Sequence, residues 1–210
     1  MGIPSYFSHI IRNYSNIIRS FKDLSCTQFG SLFMDCNSII YDAVHTIPYD
    51  NNEQADYETR VIDSVIKSIH SHLSIIKPTN TVFIAFDGVA PFAKMEQQRT
   101  RRNRTALTKI LLSQSQDTQW DTSVITPGTT FMTNLSKRVQ HAFENMEHKY
   151  NVSNIIVSGS NSPGEGEHKL FDFLRKQHCL NQNIALYGLD SDLIMLSIFN
   201  LQHCNNIYIF

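Results

Sequence analysis

The stretch Ser158-Gly-Ser-Asn-Ser-Pro-Gly-Glu-Gly-Glu-His-Lys-Leu-Phe-Asp-Phe-Leu174 sets two glutamates among glycines, at a predicted strand-to-helix junction. Glu165 and Glu167 are two residues apart, so in one regular helix their side chains would point about 200° apart. An irregular turn before the helix would instead place both on one side, and Gly164 and Gly166 permit such a turn. The simpler alternative is an acidic helix N-terminus, where free N–H groups favour carboxylates. The rest of the chain decides between the two.

Short apolar runs alternate with segments of helical periodicity along the chain. The predicted strands are Gly30–Asp35, Thr81–Asp87, Asn154–Gly159, Asn183–Leu189 and Asn206–Phe210. The predicted helices are Met1–Lys22, Ala55–Ile76, Pro91–Leu112, a segment with Met132, Leu135, Val139, Phe143 and Met146 on one face, and the helix after Glu167. This alternation predicts an α/β fold with a mainly parallel central sheet flanked by helices on both faces.

Acidic residues follow the first four predicted strands. They are Asp35, Asp87, Glu165, Glu167, Asp190 and Asp192. Open α/β sheets place their ligands at the carboxyl ends of strands, so parallel strands would bring all six carboxylates to one edge. A turn or helix cap explains each acid taken singly. The recurrence of an acid at four successive strand ends favours a common site.

Six carboxylates in one place repel each other, and divalent metal ions would relieve that repulsion. The chain offers no Cys/His set with zinc-ligand spacing, and oxygen ligands favour Mg²⁺ or Mn²⁺. Two such ions about 4 Å apart can activate a water and stabilise the leaving oxygen in phosphodiester hydrolysis. We therefore predict that the six acids bind two Mg²⁺ or Mn²⁺ ions.

Positive charge is concentrated in one predicted helix. Lys94–Lys109 contains six Lys or Arg against one Glu, in a chain of formal net charge −1. One donor-rich face, within an arc of about 100°, is formed by Lys94, Gln98, Arg101 and Arg102. This face suits a 5′-phosphate, whereas Arg99 and Arg104 lie off it and would meet solvent or a nucleic-acid backbone. The alternative is an ordinary solvated basic helix.

Composition is that of one globular domain, 1–210, with 41% hydrophobic and 18% charged residues. The four cysteines form no Cys-x-x-Cys pair, which predicts reduced thiols and a cytoplasmic location, with the nucleus as the alternative. No apolar run approaches the ~20 residues of a membrane span, and no signal-peptide core is found, so no membrane association is expected.

Seven short motifs occur in order along the chain. They are Met1-Gly-Ile-Pro-Ser-Tyr-Phe7, Phe33-Met-Asp-Cys-Asn37, Phe86-Asp-Gly-Val-Ala-Pro91, Lys94-Met-Glu-Gln-Gln-Arg-Thr-Arg-Arg102, Ile125-Thr-Pro-Gly-Thr129, Ser162-Pro-Gly-Glu-Gly-Glu-His-Lys169 and Tyr187-Gly-Leu-Asp-Ser-Asp-Leu193. Together they resemble the N-terminal catalytic region of the Xrn-type 5′→3′ exoribonucleases, nearly end to end. The resemblance implies a PIN/FEN-like nuclease fold and processive removal of mononucleotides from single-stranded RNA bearing a 5′-monophosphate, with Mg²⁺ or Mn²⁺.

The resemblance also assigns roles to residues. It implies that the same six acids hold the metals and that the same Lys-Gln-Arg-Arg face binds the 5′-phosphate. Tyr41 stands where the family usually has a His that stacks on the terminal base, and it could stack in the same way. Asn37 is expected to shape the site by hydrogen bonding, and His168 to lie beside the metals rather than bind them. A further metal-binding Asp and a stacking aromatic of the family lie beyond the matched region, so a second polypeptide could complete the site.

Two rival hypotheses stay open. A flap-type, structure-specific DNA nuclease shares acids at strand ends, but lacks the Gln-Gln-Arg-x-Arg-Arg run interpreted here as the sensor of the RNA end. A catalytically incomplete Xrn-like module would bind RNA or a partner protein without cutting. Cleavage of branched DNA would indicate the first, and RNA affinity without metal-dependent product the second.

Overall fold

The structure is a computed structural model that describes residues 6–24, 26–49, 54–112, 120–177, 179–188 and 190–210. Within these ranges the side chains at 54, 97, 101, 102, 105, 106 and 108–112 are not described. The strands are β1 (Ser31–Asp35), β2 (Thr81–Ala85), β3 (Asn154–Ser158), β4 (Asn183–Tyr187) and β5 (Asn206–Ile209). The α-helices are α1 (Tyr6–Asn13), α2 (Asn37–Thr46), α3 (Gln54–Ile76), α4 (Phe92–Leu112), α5 (Thr130–Phe143), α6 (Glu147–Tyr150), α7 (Gly166–Gln177) and α8 (Asp192–Asn200).

The five strands found in the described ranges form one sheet of order β3-β2-β1-β4-β5, and every neighbouring pair is parallel. The predicted α/β fold with a parallel sheet is therefore confirmed. The chain builds outward from β1 through β2 to β3, then crosses back to place β4 on the other side of β1. Such a reversal of strand order opens a crevice at the carboxyl ends of the two central strands, which is where α/β folds bind their ligands.

Successive side chains of a strand point to opposite faces of the sheet, so the apolar strands form a core layer on each face. Leu32, Val82 and Ala185, paired in register, face one layer, which α2, α3 and α5 cover. Phe33, Phe83 and Leu186 are one residue further along and face the opposite layer, which α7 and α8 cover. Since both faces are covered there, the central residues of β1, β2 and β4 are apolar, and an acid ends or follows each of these strands.

The exposed N-terminal segment corrects one prediction. Apolar residues at helical spacing predicted a helix over Met1–Lys22, but α1 ends at Asn13, and short 3₁₀ turns follow at Ser15–Ile17 and Phe21–Leu24. None of the residues of α1 is buried. Residues 1–5 lie outside the described ranges. Because no core face covers this segment, tertiary packing does not select one continuous helix.

Most of the other predicted elements are present, with ends shifted by one or two residues. The predicted helix Ala55–Ile76 begins one residue earlier, at Gln54, and the predicted strand ends shorten by one or two residues. The helices α2, α6 and α8 were not predicted. Met146 does not belong to the face of α5, because that helix ends at Phe143. In the described part of the chain, no helix is both long and apolar enough to cross a membrane.

Trp120 anchors the segment before α5. The indole is buried, lies 5.5 Å from the ring of Tyr57 on α3 and meets the ring of Phe131 edge-on at 5.0 Å. Thr129 caps α5, because its hydroxyl accepts a hydrogen bond from the Met132 amide at 3.3 Å. The predicted loop with the only tryptophan therefore contributes to the core.

The buried ring of Phe131 allows a test of this packing. Phe131 is 2% exposed, so Phe131→Ala should lower the free energy of unfolding by about 3–5 kcal/mol. The matched control Phe92→Ala removes a ring that is 87% exposed and should change it by less than about 0.5 kcal/mol. Urea titration followed by Trp120 fluorescence measures both, and equal midpoints for the two variants would contradict the described packing.

Candidate metal centre

The predicted acids lie at one edge of the sheet. Asp35 ends β1, Asp87 follows β2 by two residues, Glu165 and Glu167 flank the first residue of α7, Asp190 follows β4, and Asp192 begins α8. Because β3, β2, β1 and β4 are consecutive neighbours, the loops that follow them open on the same edge. Mutual charge interactions connect five of these carboxylates: Asp35 with Asp87, Glu167 and Asp190; Asp87 with Glu165; and Glu167 with Glu165 and Asp190.

Two glycines shape the turn between β3 and α7 for different reasons. Gly164 has a φ of +97°, a conformation that residues with a side chain rarely adopt. Gly166 is required by close approach, since a Cβ atom there would lie 2.6 Å from Asp35 Oδ1 and 3.5 Å from Asp87 Oδ1. The Gly166 amide also donates to Asp87 Oδ1 at 2.7 Å. The backbone of this turn therefore lies directly against both aspartates.

Backbone contacts fix the loop after β2 to the loop after β3. Gly88 donates to the Gly164 carbonyl at 2.9 Å, and Gly164 donates to the Val89 carbonyl at 2.9 Å. On the other side, the Asn37 side-chain oxygen accepts a hydrogen bond from the Asp87 amide at 3.1 Å. These contacts hold Asp87 in a fixed position relative to Glu165.

Lys94 joins the basic helix to the acids. Its ammonium group lies 2.8 Å from both carboxylate oxygens of Glu165 and 3.9 Å from Glu167 Oε1. Both glutamates are buried, and their shared contact shows that the turn does place them on one side. Partial burial lowers the pKa of Lys94, but the hydrogen bond to Glu165 and the neighbouring acidic charges outweigh it, so the net pKa is raised.

The carboxyl group of Asp35 is the most strongly perturbed of the acids. Burial first, then the charges of Asp87, Glu167 and Asp190, raise its pKa from 3.8 to about 7 against a lowering hydrogen bond from Asn37. Asp35 Oδ1 is buried and accepts no hydrogen bond from any described residue. Burial is also the main cause that raises the pKa of Asp87 and of Glu167. The cluster thus concentrates negative charge that its own hydrogen bonds only partly offset.

His168 and Asp190 lie on the exposed side of the cluster. His168 Nδ1 is 3.4 Å from Glu165 Oε2 and 3.7 Å from Glu167 Oε1, and its side chain is 56% exposed. One possible metal-ligand atom from each of these three residues lies within 4.8 Å of the other two. Asp190 is exposed and accepts a hydrogen bond from the Asp192 amide at 3.2 Å.

The predicted phosphate-binding face is only partly described. Lys94 and Gln98 are half-buried on the first turns of α4, and Arg99 and Arg104 are exposed, as their places around the helix predicted. The side chains of Arg101 and Arg102 lie outside the described part of the structure. Tyr41 is on α2, the helix that begins two residues after Asp35, and is 42% exposed.

Sequence reasoning missed one residue of the site, Lys169. Its ammonium group donates to the carbonyls of Phe86, at 2.8 Å, and Gly159, at 2.9 Å. Burial lowers its pKa to about 8, although the charges of Asp87 and Asp35 act in the opposite direction. A signal was present in the sequence, since a lysine in the first turn of a helix opposes the helix dipole. Such a lysine needs a specific partner.

The donor set fits a hard divalent cation. The five interacting groups offer carboxylate oxygens only, and Asp35 contributes a buried oxygen that accepts no hydrogen bond from the described residues. Oxygen ligands of this kind suit Mg²⁺ or Mn²⁺, and a bound cation would lower the free-energy cost of ionising Asp35.

Comparison with known proteins gives the family. The chain matches the family model described as XRN 5′-3′ exonuclease N-terminus over residues 1–210. It is 36% identical over 215 residues to 5′-3′ exoribonuclease 1 of Saccharomyces cerevisiae, which covers 94% of this chain and 14% of the relative. It is 36% identical to the human 5′-3′ exoribonuclease 1, in a match that covers 94% of this chain and 12% of the relative. It is 31% identical to the 5′-3′ exoribonuclease 2 homolog of Drosophila melanogaster, in a match that covers 94% of this chain and 27% of the relative. The chain thus spans a small part of these relatives' length.

The raised pKa of Asp35 predicts how stability depends on pH without metal. Its folded-state pKa of about 7 exceeds the ordinary 3.8, so its favourable contribution is complete below pH 4 and is lost as pH rises through 7. Asp35→Asn removes this ionisation. In EDTA, the free energy of unfolding of the variant should rise relative to wild type by about 2 kcal/mol between pH 5 and pH 8.

Urea titrations at the two pH values measure this difference. The control Glu96→Gln neutralises an exposed acid on α4 and should follow wild type at both. Adding Mg²⁺ at pH 8 should recover stability in wild type and less in Asp35→Asn. Parallel behaviour of wild type and Asp35→Asn across this range would mean that Asp35 ionises without cost in the folded protein.

Proposed function

Because the chain belongs to the XRN 5′-3′ exonuclease N-terminus family, we propose that it hydrolyses single-stranded RNA from a 5′-monophosphorylated end in a metal-dependent reaction. The observation that carries the proposal is the meeting of acids from four neighbouring strands at one sheet edge. The relatives named 5′-3′ exoribonucleases support the same reaction.

The metal-binding residues of the proposal are Asp35, Asp87, Glu165, Glu167, Asp190 and Asp192, holding two Mg²⁺ or Mn²⁺ ions. Such ions supply an activated water and charge stabilisation at the leaving oxygen of a phosphodiester. The chain's own contribution is to hold the acids in place: the Gly166 amide orients Asp87, and Asn37 fixes the backbone of Asp87. His168 lies beside Glu165 and Glu167 and is proposed to contact them rather than to bind metal.

End recognition is assigned to the face formed by Lys94, Gln98, Arg101 and Arg102. The contact between Lys94 and Glu165 supports this assignment, because it places the start of the face against the acids. A 5′-phosphate bound there would hold the adjoining linkage near the acids, so that one nucleotide is removed at a time. Arg and Lys together suit a terminal phosphate dianion better than the uncharged end of a hydroxyl-terminated RNA, and a capped RNA offers them no free terminal phosphate.

Base contacts and completion of the site are the remaining parts of the proposal. Tyr41, exposed on the helix that follows Asp35, would stack on the terminal base. A second polypeptide, or a further segment such as the longer relatives contain, would cover the exposed side of the cluster at Asp190 and His168. The proposed location is the cytoplasm or the nucleus, which suits the free thiols of the four cysteines.

Three RNAs of one sequence test the end recognition. Purified protein is incubated with 5′-monophosphate, 5′-hydroxyl and capped RNA in Mg²⁺, Mn²⁺ or EDTA, with branched DNA as a further substrate. With metal, the 5′-monophosphate RNA should yield mononucleotides much faster than the other two RNAs, and no RNA should be hydrolysed in EDTA. Branched-DNA cleavage would favour a flap-type nuclease, and RNA binding without product would favour a non-cutting module; either result contradicts the proposal.

Two variants separate the metal site from the phosphate site. Asp190→Ala should lower hydrolysis of every RNA by about 100-fold or more, since it removes a carboxylate of the metal site. Arg101→Ala should lower kcat/KM on 5′-monophosphate RNA by about 10- to 100-fold through loss of a charge-assisted hydrogen bond, with little effect on 5′-hydroxyl RNA. Arg99→Ala, off that face of α4, is the matched control and should retain end preference. Loss of preference in both arginine variants would indicate a general charge effect.

A further inference from the structure

We infer that Lys169 is the positioning residue of the acid cluster, because its ammonium group joins the ends of β2 and β3 and thereby fixes the loops that carry Asp87 and Glu165. This inference rests on the proposed function, since it concerns the same cluster. It assigns Lys169 no contact with the reacting atoms.

The ammonium group lies where the two strands separate. The last backbone hydrogen bond between them runs from the Phe86 amide to the Ser158 carbonyl at 2.9 Å. The next carbonyls on each side, Phe86 and Gly159, accept from Lys169 Nζ at 2.8 and 2.9 Å. A single side chain thus continues the pairing for one further step. Buried carbonyls need a hydrogen-bond donor, and Phe86 and Gly159 are both buried. The Gly159 carbonyl also accepts from the Ser162 amide at 3.2 Å, so the Lys169 ammonium group is a second donor there and links this carbonyl to that of Phe86.

Each bridged carbonyl leads directly to an acid. The Phe86 carbonyl belongs to the peptide bond that joins Phe86 to Asp87, so fixing it limits rotation of the backbone at Asp87. The Gly159 carbonyl stands at the start of the loop that ends at Glu165. The backbone amide of Lys169 also donates to the Glu165 carbonyl at 3.1 Å. Lys169 therefore contacts the chain segments of both acids, one with its side chain and the other also with its backbone.

Placing a charged lysine at this position would be energetically unfavourable without its hydrogen bonds to the two carbonyls. It lies in the first turn of α7, where the helix dipole disfavours a cation, and its side chain is half-buried. The two carbonyls and the nearby charges of Asp87 and Asp35 offset part of that cost. An apolar side chain could fill the space, but it could donate a hydrogen bond to neither carbonyl.

Mn²⁺ binding without RNA tests the inference directly. Lys169→Met and Lys169→Gln, neither of which can bridge the carbonyls with an ammonium group, should weaken Mn²⁺ binding by about 10- to 100-fold, as loss of a supporting contact at a metal site does. Lys169→Arg keeps charge and several donors and should restore most of the affinity. Lys176→Met, an exposed lysine on the same helix, is the matched control and should bind as wild type does. Electron paramagnetic resonance of free Mn²⁺ measures all five proteins.

Destabilisation and positioning are separated by a second control and a second readout. Phe131→Ala lowers stability in the opposite core layer, so it should leave Mn²⁺ affinity unchanged while the protein is folded. With RNA, the Lys169→Met and Lys169→Gln variants should lose kcat by about 10-fold or more, with KM unchanged. If Lys169→Met does not fold, Lys169→Gln decides.

Folded Lys169 variants that bind Mn²⁺ as tightly as wild type would overturn the inference and leave the proposed function intact. An equal loss of affinity in Phe131→Ala would also overturn it, since the effect would then be one of general stability. Failure of the wild-type protein to bind Mn²⁺ would instead contradict the proposed function itself.

Discussion

The burial of mutually repelling carboxylates is the constraint on which the site depends. Burial and neighbouring acids raise the pKa of Asp35 to about 7, so the folded protein holds negative charge there only at a cost. The described surroundings supply limited compensation: the ammonium groups of Lys94 and Lys169, and the Gly166 amide on Asp87. The free-energy cost of ionising these acids lowers the stability of the fold at this edge, and a divalent cation bound there would restore it.

The parallel sheet makes this concentration of charge possible. Strands that all run in one direction end at one edge, and the reversal between β1 and β4 leaves room there for the loops. Apolar core layers cover both faces of the sheet, one around Leu32 and the other around Phe33. This packing holds the strands in place despite the repulsion between the acids at their ends. The same packing that stabilises the domain therefore sets the positions of the acids.

The sequence predicted those parts of the molecule that depend on local pattern. Apolar runs ending in acids gave the strands, and strand direction then implied where Asp35, Asp87 and Asp190 would lie. Contacts between distant segments leave no such periodic trace, so the pairing of Lys94 with Glu165 and the bridge made by Lys169 were not predicted. The N-terminal prediction was wrong for the converse reason: helical spacing was present without a core surface to stabilise the helix.

Lys94 shows how the two halves of the proposed site depend on each other. Its ammonium group neutralises Glu165, and on the proposed function the same group faces a 5′-phosphate. A divalent cation on the acids would repel Lys94 and reduce the strength of its ion pair, whereas a phosphate nearby would attract it. Occupation of the acids would thus favour phosphate binding by the helix, and by linkage phosphate binding would favour occupation of the acids. The basic helix and the acidic edge are then one electrostatic unit, because a single lysine is shared between them.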